Sequence, residues 1–135
     1  MKIKLSKEYL EEIRKYPTNQ DWYVISRMYI LSEDFIREFQ DYLNWFFISW
    51  RQTLSENFIR EFKHKVNWQG ISYHQKLSKE FIREFQDILV WRHLCQTQDL
   101  SKEFISEFIH KINFYHLLNN ENISQDIKDY CRMFV

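Results

Sequence analysis

Charged residues recur at a fixed spacing along this chain of 135 residues, and they are the first candidates for chemistry. An arginine followed directly by a glutamate returns at a constant step, as Arg37-Glu38, Arg60-Glu61 and Arg83-Glu84. Stacked copies would place these side chains in two parallel rows, where each arginine could pair with a glutamate of the next copy. The alternative is a row of arginines that binds phosphate groups. Because the adjoining glutamates would cancel much of that positive field, we expect the ladder of ion pairs.

A second pattern alternates acid and imidazole at the same step, as Asp41, His64, Asp87 and His110. Stacked helices could bring these groups into hydrogen-bonded pairs, which would make stability mildly dependent on pH. Aspartate and histidine are also zinc ligands, so a metal site is the alternative. Two ligands are too few to close such a site, and we therefore predict no metal and no cofactor.

Composition argues against an enzyme and against a membrane protein. Neither serine nor cysteine lies in a recognisable nucleophile motif, and the single glycine excludes a glycine-rich loop for phosphate. The two cysteines form no disulfide framework, which favours a reducing, intracellular setting. Lysines and arginines balance the acids at 19 each, and no apolar segment is long enough to span a bilayer. We expect a non-enzymatic protein without a membrane partner.

The elements that position these residues follow from two further signals with the same 23-residue period. Leu-Ser begins each copy at residues 31, 54, 77 and 100, and an aromatic residue follows at positions 45, 68, 91 and 114. The block from Leu31 to Leu43 has one apolar stripe at helical spacing behind a serine N-cap, which predicts a first helix, called A. Asn44-Trp45 with Ile48 predicts a shorter second helix, called B.

The pattern predicts an all-α fold: a right-handed-type α-solenoid of short antiparallel helix pairs, with a 23-residue repeat and about eleven helices. Six A helices would alternate with five B helices, and the recurring Phe and Trp residues would form the core. We expect one domain, 1–135, made of an N-terminal cap and first repeat, 1–30, then full repeats 31–53, 54–76, 77–99 and 100–122, and a C-terminal capping half-repeat, 123–135.

The repeat also resembles a known type. The phrase LSKEFIREFQD at 77–87, and a tryptophan followed by Ile-Ser as in residues 68–72, are similar to tandem units in uncharacterised proteins of giant DNA viruses and some phages. The chain departs from that pattern at Val90, Ser106 and Phe114. The resemblance implies no common activity. It implies a viral origin, and with it a partner in the infected host and a location in the host cytoplasm.

Candidate binding residues are those that vary between repeats, because constant residues build the core of a repeat array. Variable positions of the B helices concentrate large side chains in the middle of the chain. The alternative is that these side chains fill space between short helices. The predicted partner-binding residues are Tyr23, Phe46, Phe47, Trp50, Tyr73 and Arg92.

Three functions remain open from the sequence. The first is a protein–protein interaction module that binds or inhibits a host factor, which the zero net charge and the aromatic residues favour. The second is a nucleic-acid-binding repeat protein, supported only by a local basic excess at Lys63, Lys65, Lys76, Lys79 and Arg83. The third is a self-assembling structural protein whose copies associate head to tail.

Overall fold

The computed structural model describes residues 2–135, which are about 59% helical and contain eleven α-helices and one two-stranded sheet. The A helices are α1 (Lys7–Lys15), α3 (Glu33–Glu38), α5 (Glu56–Glu61), α7 (Lys79–Glu84), α9 (Lys102–Glu107) and α11 (Gln125–Cys131). The B helices are α2 (Trp22–Met28), α4 (Trp45–Arg51), α6 (Trp68–His74), α8 (Trp91–Thr97) and α10 (Phe114–Leu118). The predicted all-α helical-repeat class and its alternation of A and B helices are confirmed.

The chain divides into two compact units, 1–67 and 68–135, with the boundary inside the repeat 54–76. In unit 1, helix α2 packs on α4. In unit 2, α6 packs on α8 and α8 packs on α10. Within each unit successive B helices are therefore direct neighbours, as in a solenoid, and the prediction of a single domain over 1–135 stays a prediction.

Serine N-caps begin the A helices as predicted. The side chain of each serine accepts a hydrogen bond from the backbone N–H three residues later, which satisfies one of the free donors at the helix start. The capping serines are Ser6, Ser32, Ser55, Ser78, Ser101 and Ser124. Asp21, Asn44 and Asn113 cap B helices in the same way, whereas Val90 provides no side-chain cap.

The A helices are shorter than predicted. The apolar stripe indicated a helix from Leu31 to Leu43, but α3 ends at Glu38, and Phe39 leaves the helical region at φ −110° and ψ 24°. The carbonyl of Gln40 then accepts a 2.9 Å hydrogen bond from the indole N–H of Trp45 instead of continuing the helix. The stripe persists because the following turn still directs Leu43 into the core.

The recurring phenylalanines pack inside as predicted, apart from Phe85, whereas the recurring tryptophans are half-buried beside them. The ring of Trp45 lies 5.1 Å from that of Phe62 and 6.3 Å from that of Phe58, measured between centroids. The same arrangement returns for Trp22, Trp68 and Trp91 with the phenylalanines that follow them. Such pairs contribute about 0.5–1.5 kcal/mol beyond the area that they bury. The aliphatic residue three positions after each aromatic is fully buried, at Ile25, Ile48, Ile71, Leu94 and Leu117.

A buried hydroxyl on each of the first three B helices bonds both to its own helix and to the backbone N–H 18 residues later, a role that the sequence did not reveal. Ser26 donates to the carbonyl of Trp22 at 2.6 Å and accepts from the backbone N–H of Asn44 at 2.9 Å. Ser49 and Ser72 make the equivalent bonds. In the fourth repeat, the sulfur of Cys95 accepts from the N–H of Asn113 at 3.3 Å, and burial raises the pKa of this thiol to about 11.

Buried glutamines add a second link between repeats. Gln52 is 1% exposed; its amide donates to the carbonyl of Tyr29 at 2.7 Å, and its oxygen accepts from the N–H of Leu31 at 3.0 Å. Gln98 makes the same pair of bonds in unit 2, to the backbone of Gln75 and Leu77. These side chains satisfy loop backbone groups that would otherwise be buried without partners.

One small element departs from the all-helical prediction. Strand β1 (Ile3–Lys4) pairs in parallel with β2 (Tyr29–Ile30), with Ile3 opposite Tyr29. The pairing places the first residues of the described chain beside the segment that joins α2 to α3. It also brings Lys2, which precedes β1, near the charge of Arg51 on α4.

We predict that Ser26→Ala lowers the free energy of unfolding by about 1–3 kcal/mol, because the N–H of Asn44 loses its buried acceptor. Urea denaturation followed by tryptophan fluorescence measures this change. Ser26→Cys, which copies the residue found at Cys95, is the matched control and should lose less. An Ala variant as stable as the wild type would contradict the role assigned to the hydroxyl.

Candidate functional site

The arginines of the A helices are used in ion pairs between successive repeats. Each pair joins an arginine to a glutamate 24 residues later, and two of the three pairs are bidentate. The pairs are Arg14–Glu38 at 3.0 Å, Arg37–Glu61 at 2.9 Å and Arg83–Glu107 at 2.7 Å. The predicted ladder is confirmed within each unit. Because the carboxylates neutralise the guanidinium groups, this face is a poor phosphate-binding row.

At one position of the ladder, a pair of hydroxyl groups replaces the ion pair. Ser106 occupies the arginine position of the next repeat, and Tyr130 occupies the position of the glutamate that would follow it. The two hydroxyls form a hydrogen bond with each other. Both partners have changed together, which indicates that this position serves packing between repeats.

The predicted pairing of aspartate with histidine is wrong. Asp41 accepts a hydrogen bond from Lys65 at 3.0 Å, and Asp87 accepts one from Lys111 at 3.2 Å. The physical reason is the contact spacing, because side chains on this face meet one position beyond the repeat length, whereas His64 lies at the repeat length from Asp41. Within residues 2–135 no group of three or more His, Cys, Asp or Glu side chains could hold a metal ion.

The local basic excess that suggested nucleic-acid binding is largely consumed by internal contacts. Lys65 pairs with Asp41, Arg83 with Glu107, and Lys79 donates to the hydroxyl of Ser101 at 3.0 Å. These contacts leave less free positive charge than the sequence suggested.

Four of the predicted partner-binding residues come together in unit 1, and we call them the aromatic surface: Tyr23 of α2 with Phe46, Phe47 and Trp50 of α4. The rings of Tyr23 and Phe47 meet edge to face at 4.9 Å, and those of Phe46 and Phe47 at 5.4 Å. Phe46 and Trp50 lie 5.8 Å apart. Tyr23 is 53% exposed and Phe46 is 50% exposed, whereas Phe47 and Trp50 are half-buried.

The aromatic surface therefore contains two kinds of residue, those that fill space between the helices and those that stay exposed. Phe47 packs between its neighbours, and the indole N–H of Trp50 donates to the side-chain oxygen of Asn67 at 3.3 Å. These two residues support the fold. Tyr23 and Phe46 keep about half of their surface in water beside these neighbours, so the exposed rings are grouped rather than scattered.

The remaining two predicted residues lie in unit 2. The ring of Tyr73 meets that of His93 edge to face at 5.5 Å, and Arg92 is exposed on α8. Burial, and after it the charge of Arg92, lower the pKa of His93. Tyr73 also lines an open cavity of about 390 Å³ together with Lys76, Asp99 and other residues. This cavity has donors and acceptors that suit a polar side chain.

The structure adds two residues that the sequence pattern did not single out. Arg27 lies in the last turn of α2 and Arg51 ends α4, both exposed, one helical turn beyond Tyr23 and Phe47 respectively. The sequence contained a sign of these two residues. The five B helices contain three arginines, which are Arg27, Arg51 and Arg92, and no aspartate or glutamate. The balanced total charge concealed this segregation, because the A helices hold most of the acids.

The ladder predicts a pH dependence of stability. Hydrogen bonds from Arg83, and then its charge, lower the pKa of the Glu107 carboxyl from its usual value of 4.5. The stabilisation is therefore complete above the usual pKa and is lost as the pH falls through the lowered pKa. Thermal unfolding measured from neutral to acidic pH should show a smaller acid-induced loss in Glu107→Gln than in the wild type. Glu121→Gln, which alters an exposed loop, is the control, and equal losses in all three proteins would contradict the account.

Comparison with family models, with curated proteins and with solved structures gives no match to this chain. The resemblance to viral repeats therefore stays a resemblance. None of the helices in residues 2–135 combines the length and apolar character needed to cross a membrane.

Proposed function

We propose that this chain is a non-enzymatic protein-binding module and that its partner docks on the aromatic surface. The observation that carries the proposal is the contrast between two classes of aromatic side chain. The repeated Phe residues pack into the core and the repeated Trp residues are half-buried against them, whereas Tyr23 and Phe46 present about half of their surface to water. Aromatic side chains that cluster around buried neighbours are typical centres of binding energy in protein interfaces.

The surface is also held in place, which favours binding. Its two helices are joined by the hydrogen bond that the backbone N–H of Asn44 donates to the hydroxyl of Ser26 and by the edge-to-face contact of Tyr23 with Phe47. A partner would meet rings already positioned, so that little conformational entropy is lost on binding. The resemblance to repeats of giant DNA viruses supports a host protein as the partner and the host cytoplasm as the location.

Nucleic-acid binding has less support. A base that stacks on an aromatic side chain needs an open ring face. In the aromatic surface, the rings contact one another at 4.9–5.8 Å and are not spaced to receive a base between them. Head-to-tail self-association stays a prediction, and sedimentation across a concentration series measures it.

We predict that Tyr23→Ala combined with Phe46→Ala reduces capture of the partner from a lysate of the natural source at least tenfold. Truncating central aromatic residues of an interface costs about 2 kcal/mol or more, which corresponds to a change of that size. Quantitative mass spectrometry of the captured proteins measures the loss. Trp50 is left intact in this variant, because its bond to Asn67 serves the fold.

Tyr115→Ala is the matched control, since Tyr115 occupies the same repeat position as Phe46 and is 74% exposed in unit 2. It should leave capture unchanged. If the double variant folds normally and captures the same proteins in the same amounts as the wild type, the aromatic surface is not the binding site.

A further inference from the structure

The arginines of the two helix classes differ in their partners. On the A helices, Arg14, Arg37 and Arg83 each pair with a glutamate of the following repeat. Arg27 and Arg51 on the B helices make no hydrogen bond or ion pair with any part of the described chain, residues 2–135. The arginines of the A helices are thus paired within the fold, whereas the guanidinium groups of Arg27 and Arg51 can bind a ligand.

The two available cations lie beside the aromatic surface. Tyr23 touches Phe47, and Arg27 and Arg51 each lie one helical turn further along the same two helices. Neighbouring helices in contact therefore carry an aromatic row followed by a cationic row. The helix dipole favours cations at these two C-terminal ends, but it leaves the guanidinium donors exposed to a ligand.

A third cation adds to this row. Lys2, which precedes β1, is half-buried, and burial together with the nearby charge of Arg51 lowers the pKa of its ammonium group. The two groups are thus close enough to repel each other. The carboxylate that caps α2, that of Asp21, lies at the opposite end of this helix from Arg27, where it accepts from the N–H of Val24 at 3.1 Å.

From this juxtaposition we propose that the partner is an acidic segment of a protein, with apolar side chains seated on the aromatic surface and carboxylates on Arg27 and Arg51. The inference rests on the proposed function and specifies its partner. Carboxylates suit this site because a guanidinium group binds them through two parallel hydrogen bonds. Apolar anchors suit it because Phe46 and Tyr23 offer ring surface that phosphate or sugar would not cover.

The test uses a fluorescent 16-residue peptide with Phe or Leu at every third or fourth position and Asp or Glu elsewhere. A second peptide has Asn and Gln in place of the acids, and a single-stranded oligothymidine of similar length represents nucleic acid. Fluorescence anisotropy should show the acidic peptide binding about tenfold tighter than the neutral peptide, and this preference should shrink as salt is added.

Arg27→Gln combined with Arg51→Gln should abolish that preference. Lys7→Gln combined with Lys76→Gln removes the same charge from exposed lysines elsewhere and should leave the preference intact. If both peptides bind equally well and both lose binding in the variant Tyr23→Ala, Phe46→Ala, the partner is not acidic, but the aromatic surface is still the binding site. If both peptides bind equally well and the Tyr23→Ala, Phe46→Ala variant binds them as tightly as the wild type does, both proposals are contradicted. Preferred binding of the oligonucleotide, or binding of neither peptide, would overturn the inference.

Discussion

Within each unit, the fold depends on a buried hydrogen bond between successive B helices. Ser26 in unit 1 and Ser72 in unit 2 each donate to a carbonyl of their own helix and accept from the N–H at the start of the next, so that these neighbouring helices keep the same offset. Repeats this short cannot bury their apolar stripes alone, and the offset lets the Trp and Phe rings of adjacent copies interlock. On the surface of the A helices, the arginines then meet glutamates one position beyond the repeat length.

This arrangement gives each unit two chemically different sets of helices. The A helices neutralise themselves through pairs such as Arg37–Glu61, and where Ser106 replaces arginine its partner becomes Tyr130. The B helices have no carboxylate within them, and in unit 1 they display half-exposed rings next to Arg27 and Arg51. Internal pairing uses the arginines of the first set, whereas Arg27 and Arg51 of the second set have no internal partner among residues 2–135. The B helices of unit 1 are therefore where we propose that a partner binds.

Periodicity in the sequence predicted the helix classes, the serine caps and the aromatic core, because each depends on residues close in the chain or repeated in register. Periodicity did not predict the contacts that depend on how one repeat packs against the next. Asp41 was assigned to His64 but meets Lys65, since the contact spacing cannot be read from the repeat length. The indole of Trp45 bonds to the carbonyl of Gln40 just after α3 ends, and Ser26 bonds to a backbone group 18 residues along the chain; neither contact can be read from the repeat. For the proposed site, variability between repeats singled out Tyr23 and Phe46, whereas the exposure of Arg27 and Arg51 beside them is visible only in the structure, because the total charge is zero.

Amide hydrogen exchange with and without the acidic peptide tests the central claim most directly, since it reports on both helix classes in one experiment. The account predicts added protection in residues 22–28 and 45–51, which form α2 and α4, and little change in the A helices α3 and α5. Protection centred on the A helices, with none in α2 and α4, would contradict the assignment of structure to one helix class and binding to the other.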